Sequence, residues 1–322
     1  MKAVLVEKLG GPEVLETSEI PVPAPGPGEL LVSVEASGLN YIDTYHRSGA
    51  YPMRLPFTPG VEGAGTVTAI GDGVEAFKLG DRVGWVYVLG SYSESHVIPA
   101  DRAVLLPDSI DTATAAALLL QGITSHYLAT DTFSLSPGDR CVIHAGAGGV
   151  GLLLTQIAKK MGATIFATVG TEEKAALASE AGADHVIVYT REDFQTAIEE
   201  IIGAEEIDVV YDGVGAATFE KGLDLLRPRG MMVTFGNASG PPPEISPLIL
   251  AQKGSLFLTR PTLLHYISTP DELVQRVREL FAWVRDGSLQ VRIGAEFSLD
   301  QAAEAHRALE GRSTTGKVLI RP

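Results

Sequence analysis

Cysteine is almost absent from this chain, which has one, Cys141, among 322 residues. A single thiol excludes a disulfide framework and any zinc site built from several cysteines. Basic residues are also scarce: 25 Lys and Arg stand against 40 Asp and Glu, which gives a formal net charge of −15. Nucleic acid and anionic membranes are therefore excluded as general partners, because both repel an acidic surface. One anionic ligand in a local basic pocket remains compatible with this charge.

Long apolar runs are missing as well. The apolar run at 115–120 is far too short to span a bilayer. The first twelve residues are charged and interrupted by glycine and proline, so they lack the apolar core of a signal peptide. We therefore expect a soluble, cytoplasmic protein with no membrane contact. The hydrophobic share of 45% is that of a globular protein, and the length allows two domains.

The chain changes its pattern twice. Residues 1–122 contain short apolar strands between turn residues, which predicts a compact, mostly antiparallel β-domain. Its strands are predicted at 30–36, 64–70, 82–88 and 92–98. From 139 onward, strands alternate with helical stretches, the pattern of right-handed crossovers in a doubly wound parallel sheet. Strands are predicted here at 140–144, 164–169, 185–188, 208–211, 231–235 and 254–259, and helices at 150–161, 172–181, 191–202 and 217–226. A helix at 111–130 is predicted before this part.

The end of the chain resumes the first pattern. Thr269-Pro-Asp-Glu272 is a capping box with proline at the first helical position, which predicts a helix up to residue 285. A strand at 289–293, a helix at 301–309 and a strand at 317–320 follow. We therefore predict an α/β protein in which a dinucleotide-binding doubly wound domain, 123–262, is inserted into a mostly-β domain made of 1–122 and 263–322.

A glycine-rich motif follows the first strand of the middle part. The spacing G-x-G-x-x-G is that of Gly146-Ala-Gly148-Gly149-Val150-Gly151, between an apolar strand and an apolar helix. In this setting Gly146 permits the tight turn, Gly148 lets the backbone approach a pyrophosphate, and Gly151 lets the helix pack on the strand. The helix N-terminus offers its N–H groups to phosphates. The motif favours a dinucleotide cofactor over a glycine-rich turn without a ligand.

The tip of the second strand discriminates between NAD and NADP. NAD enzymes place Asp or Glu there to bind the ribose 2′-hydroxyl. Here the strand ends in Gly170-Thr171, and Lys174 follows within one helical turn. A small, uncharged tip beside a lysine suits a 2′-phosphate, so the sequence favours NADPH. Glu172 and Glu173 leave a displaced ribose acceptor open, although acids in a first helical turn are also favoured by the helix dipole.

Motifs spread over the whole chain resemble those of a known family. They are Gly10-Gly-Pro-Glu-Val-Leu15, Gly38-Leu-Asn-Tyr-Ile-Asp43, Gly80-Asp-Arg-Val83, Gln121-Gly-Ile-Thr124, His144-Ala-Gly-Ala-Gly-Gly-Val-Gly151, Val210-Tyr-Asp-Gly-Val-Gly215 and Phe235-Gly-Asn237. With them the chain resembles the zinc-independent quinone oxidoreductases, the ζ-crystallin-like group of the medium-chain dehydrogenase/reductases, and in particular the bacterial NADPH:quinone reductases. The resemblance implies a GroES-like catalytic domain, a Rossmann NADP-binding domain and a homodimer. An apolar edge strand at 254–259 would pair with its two-fold copy.

The resemblance also implies which residues contact NADPH. Tyr189 matches a tyrosine that lies beside the adenosine 2′-phosphate, together with Lys174. Phosphate, ribose and further cofactor contacts are implied for Gly149, Val150, Gly170, Thr171, Tyr127, Val214, Asn237, Ala238 and Ser239. The nicotinamide end is implied to be lined by Asn40, Tyr41, Ile42, Asp43, Tyr45 and Thr124.

The expected chemistry is hydride transfer without a metal. Zinc-dependent relatives of the superfamily have Cys where this chain has Asn40 and His where it has Val61, and their four-cysteine lobe is missing here. Without a Lewis acid, the expected substrate is a quinone or an α,β-unsaturated carbonyl, because conjugation spreads the charge of the incoming hydride.

Four residues are candidates for the catalytic site: Asn40, Tyr45, Tyr51 and Thr124. Their amide, hydroxyl and ring groups suit the orientation of a flat substrate and hydrogen bonds to a developing oxyanion. A cofactor at the carboxyl ends of the parallel strands would direct its nicotinamide toward the β-domain, so we expect the site in a cleft between the domains. The loop at 40–51 supplies most of these groups.

Two other functions remain open. The same fold and cofactor would also serve an NADPH-dependent alkenal, enone or enoyl-thioester reductase. A different class, an RNA-binding or structural crystallin-like protein, is disfavoured by the net charge of −15 and by the intact cofactor motifs.

Overall fold

The computed structural model describes residues 1–322. The chain forms two compact units, the first made of Met1–Ile123 with Ile267–Pro322 and the second of Thr124–Tyr266. The domain boundaries expected from the sequence, at 122/123 and 262/263, stay predictions. None of the helices combines the length and the apolar character that a membrane span requires.

The strands and helices are numbered in chain order. The strands are β1 (Lys2–Leu5), β2 (Glu16–Glu19), β3 (Glu29–Leu39), β4 (Glu62–Ile70), β5 (Arg82–Val86), β6 (Ser95–Pro99), β7 (Ala103–Leu105), β8 (Arg140–Ile143), β9 (Thr164–Val169), β10 (His185–Val188), β11 (Ile207–Asp212), β12 (Leu226–Thr234), β13 (Phe257–Thr259), β14 (Ile293–Ser298) and β15 (Lys317–Arg321). The α-helices are α1 (Tyr41–Ser48), α2 (Thr112–Tyr127), α3 (Gly149–Lys160), α4 (Glu172–Glu180), α5 (Phe194–Ile202), α6 (Phe219–Leu225), α7 (Leu248–Gln252), α8 (Pro270–Arg285) and α9 (Ala302–Glu310). A π-helical segment, Leu128–Thr132, continues α2, and 3-10 turns lie at Pro12–Val14, Ala100–Arg102, Leu263–Tyr266 and Leu299–Gln301.

The second unit is a doubly wound parallel sheet. Its six strands lie in the order β10-β9-β8-β11-β12-β13, and every pair is parallel. Strand β11 is buried along its whole length and β9 in all but its first residue, which matches the largely apolar sequences of strands in a parallel sheet. Phe166, Val210 and Phe219 lie in the larger of two buried apolar clusters in this unit. The predicted parallel sheet is thereby confirmed.

The first unit is built around a mostly antiparallel sheet. Its strand order is β14-β15-β3-β4-β5-β7, with β6 paired to β3, and β14 with β15 is its one parallel pair. A separate antiparallel pair, β1 with β2, lies at the start of the chain. Because β15 pairs with β3, the end of the chain completes a sheet that its first third begins. The predicted return of the C-terminal part to the first domain is confirmed.

Residues 41–48 form helix α1, and not the loop that we predicted between Asn40 and Tyr51. Asn40 is the N-cap: its N–H donates to Asp43 Oδ2 at 2.9 Å, and the Asp43 N–H donates to the Asn40 carbonyl at 3.0 Å. Gly49, with φ of 84°, ends the helix in the left-handed conformation that glycine adopts most readily. The pattern Asn-x-x-Asp before an apolar residue was a usable start signal, but the helix is short and its aromatic residues obscured the period.

The predicted strand at 289–293 is also wrong. Leu289 is buried, but its backbone N–H donates to the Trp283 carbonyl at 3.0 Å, so this segment still wraps the end of α8. The strand β14 begins only at Ile293, where pairing with Lys317 becomes possible. The sequence analysis did not find β1, β2 and β7, which are three or four residues long.

A matched pair of leucines tests the core of the first unit. Leu30 is fully buried beside Trp85, whereas Leu79 is 65% exposed. We expect Leu30→Ala to lower the free energy of unfolding by about 2–5 kcal/mol and Leu79→Ala to change it by less than about 0.5 kcal/mol. Trp85 and Trp283 are the two tryptophans of the chain, and both belong to this unit. Guanidinium unfolding followed by tryptophan fluorescence therefore reports on it, and equal midpoints for the two variants would contradict the assigned core.

Candidate active site

The glycine loop lies between β8 and α3 and touches the neighbouring strand. The Gly146 N–H donates to the Thr168 carbonyl at 3.0 Å, and a Cβ on Gly146 would lie 2.9 Å from that of Ala167. A Cβ on Gly151 would collide with the Ala145 carbonyl oxygen. These two glycines are therefore needed for close packing, as the motif predicts.

The N-terminus of α3 has the properties of a phosphate cradle. Gly148 is the N-cap in an extended conformation, and no side chain caps the helix. The first N–H groups of a helix have no partner within it, and the helix dipole favours negative charge there. A Cβ on Gly148 would meet one backbone atom, at 3.1 Å, so this glycine leaves space for a ligand and does not fill a packing gap. Gly149, Val150 and Gly151 form the first turn.

The tip of β9 is covered by a tyrosine. A Cβ on Gly170 would lie 2.8 Å from the Tyr189 hydroxyl, so glycine is needed for the ring to lie here. Thr171 caps α4 by accepting a hydrogen bond from the Lys174 N–H at 3.3 Å. This brings four predicted residues, Gly170, Thr171, Lys174 and Tyr189, to one place in the second unit.

A cation that the sequence analysis missed lies at the same tip. Arg191 forms an ion pair with Glu172 on the first turn of α4. The pairing reduces the case for Glu172 as a ribose acceptor, because its carboxylate already has a partner. Arg191 lies two residues after Tyr189, which could have drawn attention to it, but its link to α4 depends on the fold.

The loops that follow β11 and β12 meet beside β8, the strand that precedes the glycine loop. The Asp212 Oδ1 accepts from the N–H groups of Val214 and Gly215 at 2.7 and 3.0 Å. The Ser239 N–H donates to the Val214 carbonyl at 2.8 Å, and the Ala238 N–H donates to that of Gly213. The predicted cofactor residues Val214, Asn237, Ala238 and Ser239 are thereby brought together at the carboxyl edge of the sheet.

Two adjacent strands of this edge each end in a buried polar atom that has no hydrogen-bond partner. These atoms are the Nε2 atom of His144, at the end of β8, and the Oδ2 atom of Asp212, at the end of the adjacent β11. The Nδ1 atom of His144 is paired with the Thr168 hydroxyl at 2.8 Å. Burial lowers the pKa of His144, which favours the neutral ring. Unsatisfied groups of this kind indicate a place for a polar ligand or ordered water. Together with the uncapped glycine loop, they fit a dinucleotide.

Tyr127 and Thr124 lie near the end of α2 in the second unit. The Tyr127 ring is buried and stacks on Tyr266, with centroids 4.0 Å apart and planes 6° apart. Thr124 is 7% exposed. Their contact with a cofactor or substrate stays a prediction.

The first unit presents a row of three tyrosines on and after α1. The ring centroids of Tyr41 and Tyr45 are 6.0 Å apart, and those of Tyr45 and Tyr51 are 5.1 Å apart. Each ring is partly exposed. Burial raises the pKa of Tyr41, so its hydroxyl stays protonated in the neutral pH range. The row offers flat apolar surface together with hydroxyl donors, as we expected for Tyr45 and Tyr51.

Asn40 has an unexpected environment, because its amide is fully engaged within the first unit. The Nδ2 atom donates to the Gly38 carbonyl at 3.0 Å and to Glu62 Oε2 at 2.9 Å. The Oδ1 atom accepts from Lys317 Nζ at 2.8 Å and from Gln121 Nε2 at 3.3 Å. An amide has two donor and two acceptor positions, so none is left for a substrate oxyanion. The geometry does not support the predicted direct role of this side chain.

Asp43 is also enclosed. Its side chain is fully buried, and its Oδ2 atom accepts from the Asn40 N–H at 2.9 Å and from the Tyr92 hydroxyl at 3.1 Å. Burial raises the pKa of Asp43 to about 7, against the opposing effects of the Asn40 N–H and the Lys317 charge. A contact between Asp43 and the cofactor stays a prediction, and it would have to involve neighbouring atoms. Ile42, the predicted residue immediately before Asp43, is partly buried.

The buried polar groups continue from Asp43 to the last helix. The Tyr92 hydroxyl lies 3.3 Å from His306 Nε2, and His306 Nδ1 lies 3.1 Å from Arg47 Nη1. Arg47 makes a bidentate ion pair with Glu310, at 3.0 and 2.7 Å. Burial first, and the Arg47 charge second, lower the pKa of His306 to about 3, so this ring is neutral. The network fixes α1 against α9.

The structure therefore adds Lys317, Glu62 and Tyr92 to the surroundings of α1, and Arg47 on α1 itself. Sequence reasoning gave no signal for Lys317, which lies 277 positions from Asn40. Throughout residues 1–322, no group of three or more His, Cys, Asp or Glu side chains is arranged to hold a metal ion. A metal-free reaction stays a prediction.

The comparisons with known proteins agree with this geometry. Residues 149–284 match the family described as zinc-binding dehydrogenase, and residues 26–108 match the alcohol dehydrogenase GroES-like domain. The chain is 45% identical over 323 residues to a quinone oxidoreductase of Pseudomonas aeruginosa, covering 100% of this chain and 99% of the relative. It is 40% identical over 328 residues to a 2-haloacrylate reductase of Burkholderia sp, covering 99% of this chain and 98% of the relative.

A solved structure has the same fold. Escherichia coli quinone oxidoreductase complexed with NADPH superposes with a TM-score of 0.98 at 44% identity, and all of each chain is covered. The predicted combination of a Rossmann domain and a GroES-like domain is confirmed. With both domain families matched and relatives 45% identical over the whole length, the chain belongs to the quinone oxidoreductase group of the medium-chain dehydrogenase/reductases.

Proposed function

We propose that this protein is an NADPH-dependent quinone oxidoreductase that needs no metal. The observation that carries the proposal is the tip of β9, where Gly170 lies against the Tyr189 hydroxyl and no carboxylate takes the place of a ribose acceptor. The group's quinone oxidoreductase members and the NADPH complex of a relative 44% identical support the same activity.

The second unit supplies the groups that would hold the cofactor. The N–H groups at the start of α3 would bind the pyrophosphate, with Gly148 leaving the space for it. Lys174 and Tyr189, with Arg191 nearby, would bind the 2′-phosphate. The loops that carry Val214 and Ser239 would border the remaining part of the cofactor.

When it is bound, such a cofactor supplies a hydride from its nicotinamide ring. The tyrosine row at Tyr41, Tyr45 and Tyr51 would stack against a flat quinone, since aromatic rings pack face to face or edge to face at the observed centroid distances. Hydroxyl groups of Tyr51 and Thr124 are the proposed donors to the oxyanion that develops on the substrate. Asn40 remains part of the proposed site through its backbone and its place at the start of α1.

The reduction of an activated double bond is a second candidate. The 2-haloacrylate reductase of Burkholderia sp is 40% identical over nearly the whole of both chains. An acrylate, like a quinone, is conjugated, so the same hydride transfer serves both. A comparison of turnover with 1,4-benzoquinone and with 2-chloroacrylate discriminates between the two candidates.

The cofactor preference is directly testable. We expect the protein to oxidise NADPH with 1,4-benzoquinone and to bind NADH more weakly. Lys174→Ala should weaken NADPH binding by about 1.5–3 kcal/mol, the usual contribution of a hydrogen bond to a charged group, and should leave NADH binding unchanged. Lys160→Ala removes the same charge from the far end of α3 and serves as the control. Fluorescence titration measures both affinities, and equal affinities of the parent for NADPH and NADH would refute the assignment.

The hydroxyl of Tyr51 provides a test of the substrate end. Tyr51→Phe keeps the ring of the tyrosine row and removes one donor, so we expect a lower kcat with 1,4-benzoquinone. The loss should not exceed about 2.7–4 kcal/mol, the cost of removing an oxyanion-hole donor. NADPH affinity should stay at the parental value. Steady-state kinetics that give the parental kcat would mean that Tyr51 only lines the site.

We also propose a homodimer that forms through β13. This strand ends the parallel sheet, and Phe257 and Leu258 are 57% and 38% exposed on it. An exposed apolar edge is open to pairing with another strand, and a two-fold copy would satisfy its backbone groups.

Sedimentation velocity tests the dimer. We expect the parent to sediment as a dimer at micromolar concentration and Phe257→Asp to sediment as a folded monomer, because two copies of the charge would face each other across the axis. Leu79→Asp places the same charge on an exposed leucine of the first unit and should leave the dimer intact. A monomeric parent would contradict the proposal.

A further inference from the structure

We propose that Lys317 is a positioning residue for quinone reduction: its ammonium group fixes Asn40 and, through Asn40, the first turn of α1 with its tyrosine row. The inference rests on the proposed function, because the row matters to turnover only if it receives the substrate. Lys317 begins β15, near the end of the chain, and Asn40 precedes α1. The contact therefore joins two distant parts of the first unit.

The group around Lys317 is closed to solvent. Lys317 is 1% exposed, Glu62 is fully buried and Asn40 is 4% exposed. The ammonium donates to Asn40 Oδ1 at 2.8 Å and forms an ion pair with Glu62. The carboxylate also accepts from Asn40 Nδ2 at 2.9 Å and from the Leu120 N–H at 2.6 Å. Each polar atom of this cluster thus has a partner, which is the condition for a buried charge to be tolerated.

The backbone of β3 leaves room for this cluster. A Cβ on Gly38 would lie 2.4 Å from the Ala116 carbonyl oxygen, 2.5 Å from Glu62 Oε2 and 2.6 Å from Lys317 Cε. Glycine at 38 is therefore required by the backbone of α2 together with the side chains of Lys317 and Glu62, and not by a turn, since its backbone is that of an ordinary strand. The position of the ammonium is fixed by packing on one side and by hydrogen bonds on the other.

The charged and titratable groups that surround the ammonium come from several elements. Those that act on it are Glu62 on β4 and Asp43 on α1, and Asp43 is joined in turn to Tyr92 after β5, His306 on α9 and Arg47 on α1. Burial lowers the pKa of Lys317, and the Glu62 carboxylate opposes this shift. The nearest opposite charge is thus Glu62, and removal of the ammonium would leave that carboxylate buried without a cation.

The link from Asn40 to the tyrosines is short. The Asn40 N–H donates to Asp43 Oδ2, so Asn40 sets where α1 begins. Tyr41 is the first residue of that helix, and Tyr45 lies one turn later and accepts from the Tyr51 N–H at 3.1 Å. A shift of Asn40 would therefore move the row, and a misplacement of about 1 Å can lower a rate by about a hundredfold.

The first test uses Lys317→Met, which keeps much of the side-chain volume and removes the charge. We expect kcat/KM for 1,4-benzoquinone to fall by about ten- to a hundredfold at pH 8, per folded molecule, while the NADPH dissociation constant stays within about twofold. Lys78→Met, on an exposed lysine of the same unit, should match the parent. A general loss of folding would lower NADPH binding and turnover together, so the split between the two readouts separates positioning from stability.

The second test adds Glu62→Gln. The double variant leaves no charge at positions 317 and 62, so its kcat/KM should lie between those of Lys317→Met and the parent. If Lys317→Met does not fold, the double variant decides: a reduced kcat/KM supports the proposal and the parental value overturns it.

The third test needs neither cofactor nor substrate. Amide hydrogen exchange over 41–48 should be at least about tenfold faster in Lys317→Met than in the parent, with exchange in β9 of the other unit unchanged. Parental exchange in α1, or parental quinone turnover in a folded Lys317→Met, overturns the inference. If the parent does not reduce quinones, the proposed function is refuted. The exchange measurement still tests whether Lys317 holds α1 in place.

Discussion

The ion pair between Lys317 and Glu62 is the interaction on which the organisation of the first unit depends. It joins β15 to β4, and the same carboxylate binds the Leu120 N–H of α2. Asn40 completes the cluster and starts α1. A buried charge pair contributes little net stability but is costly to break on one side, so it selects one arrangement of these elements over alternatives. The chain thereby fixes a short aromatic helix that local propensity alone would hold weakly.

The second unit depends on a different constraint, the absence of side chains at a few positions. Gly146 and Gly151 allow α3 to pack against its strand, and Gly148 leaves its side of the loop open. The absence of a side chain at Gly170 likewise leaves room for the Tyr189 ring. At the carboxyl edge, the partnerless atoms of His144 and Asp212 show that polar groups there are not fully used within the protein. Tightly packed glycines and polar atoms without a partner thus lie close together at this edge of the sheet. This combination suits a dinucleotide site.

The sequence predicted the second unit better than the first, and the reason is physical. Each parallel strand is a continuous apolar run bounded by turn residues, so its signal is local. Helix α1 was missed because its start depends on the capping pair Asn40 and Asp43 and its packing on distant partners. The residue Asn40 was identified but its role was not, since the lysine that occupies its amide oxygen lies 277 positions away. Long-range pairing of polar groups leaves no periodic trace in a sequence.

The enclosure of Lys317 also bears on the kind of substrate that the site can serve. Its ammonium is committed to Asn40 and Glu62 and is 1% exposed, so it cannot polarise a substrate carbonyl by donating a hydrogen bond to it. The groups left near α1 are tyrosine rings, which can stack against a flat acceptor, and hydroxyls, which can donate hydrogen bonds to it. Such a set favours acceptors that delocalise the charge of an incoming hydride themselves. Quinones and activated alkenes both do so, which is why two relatives with different substrates can share one architecture.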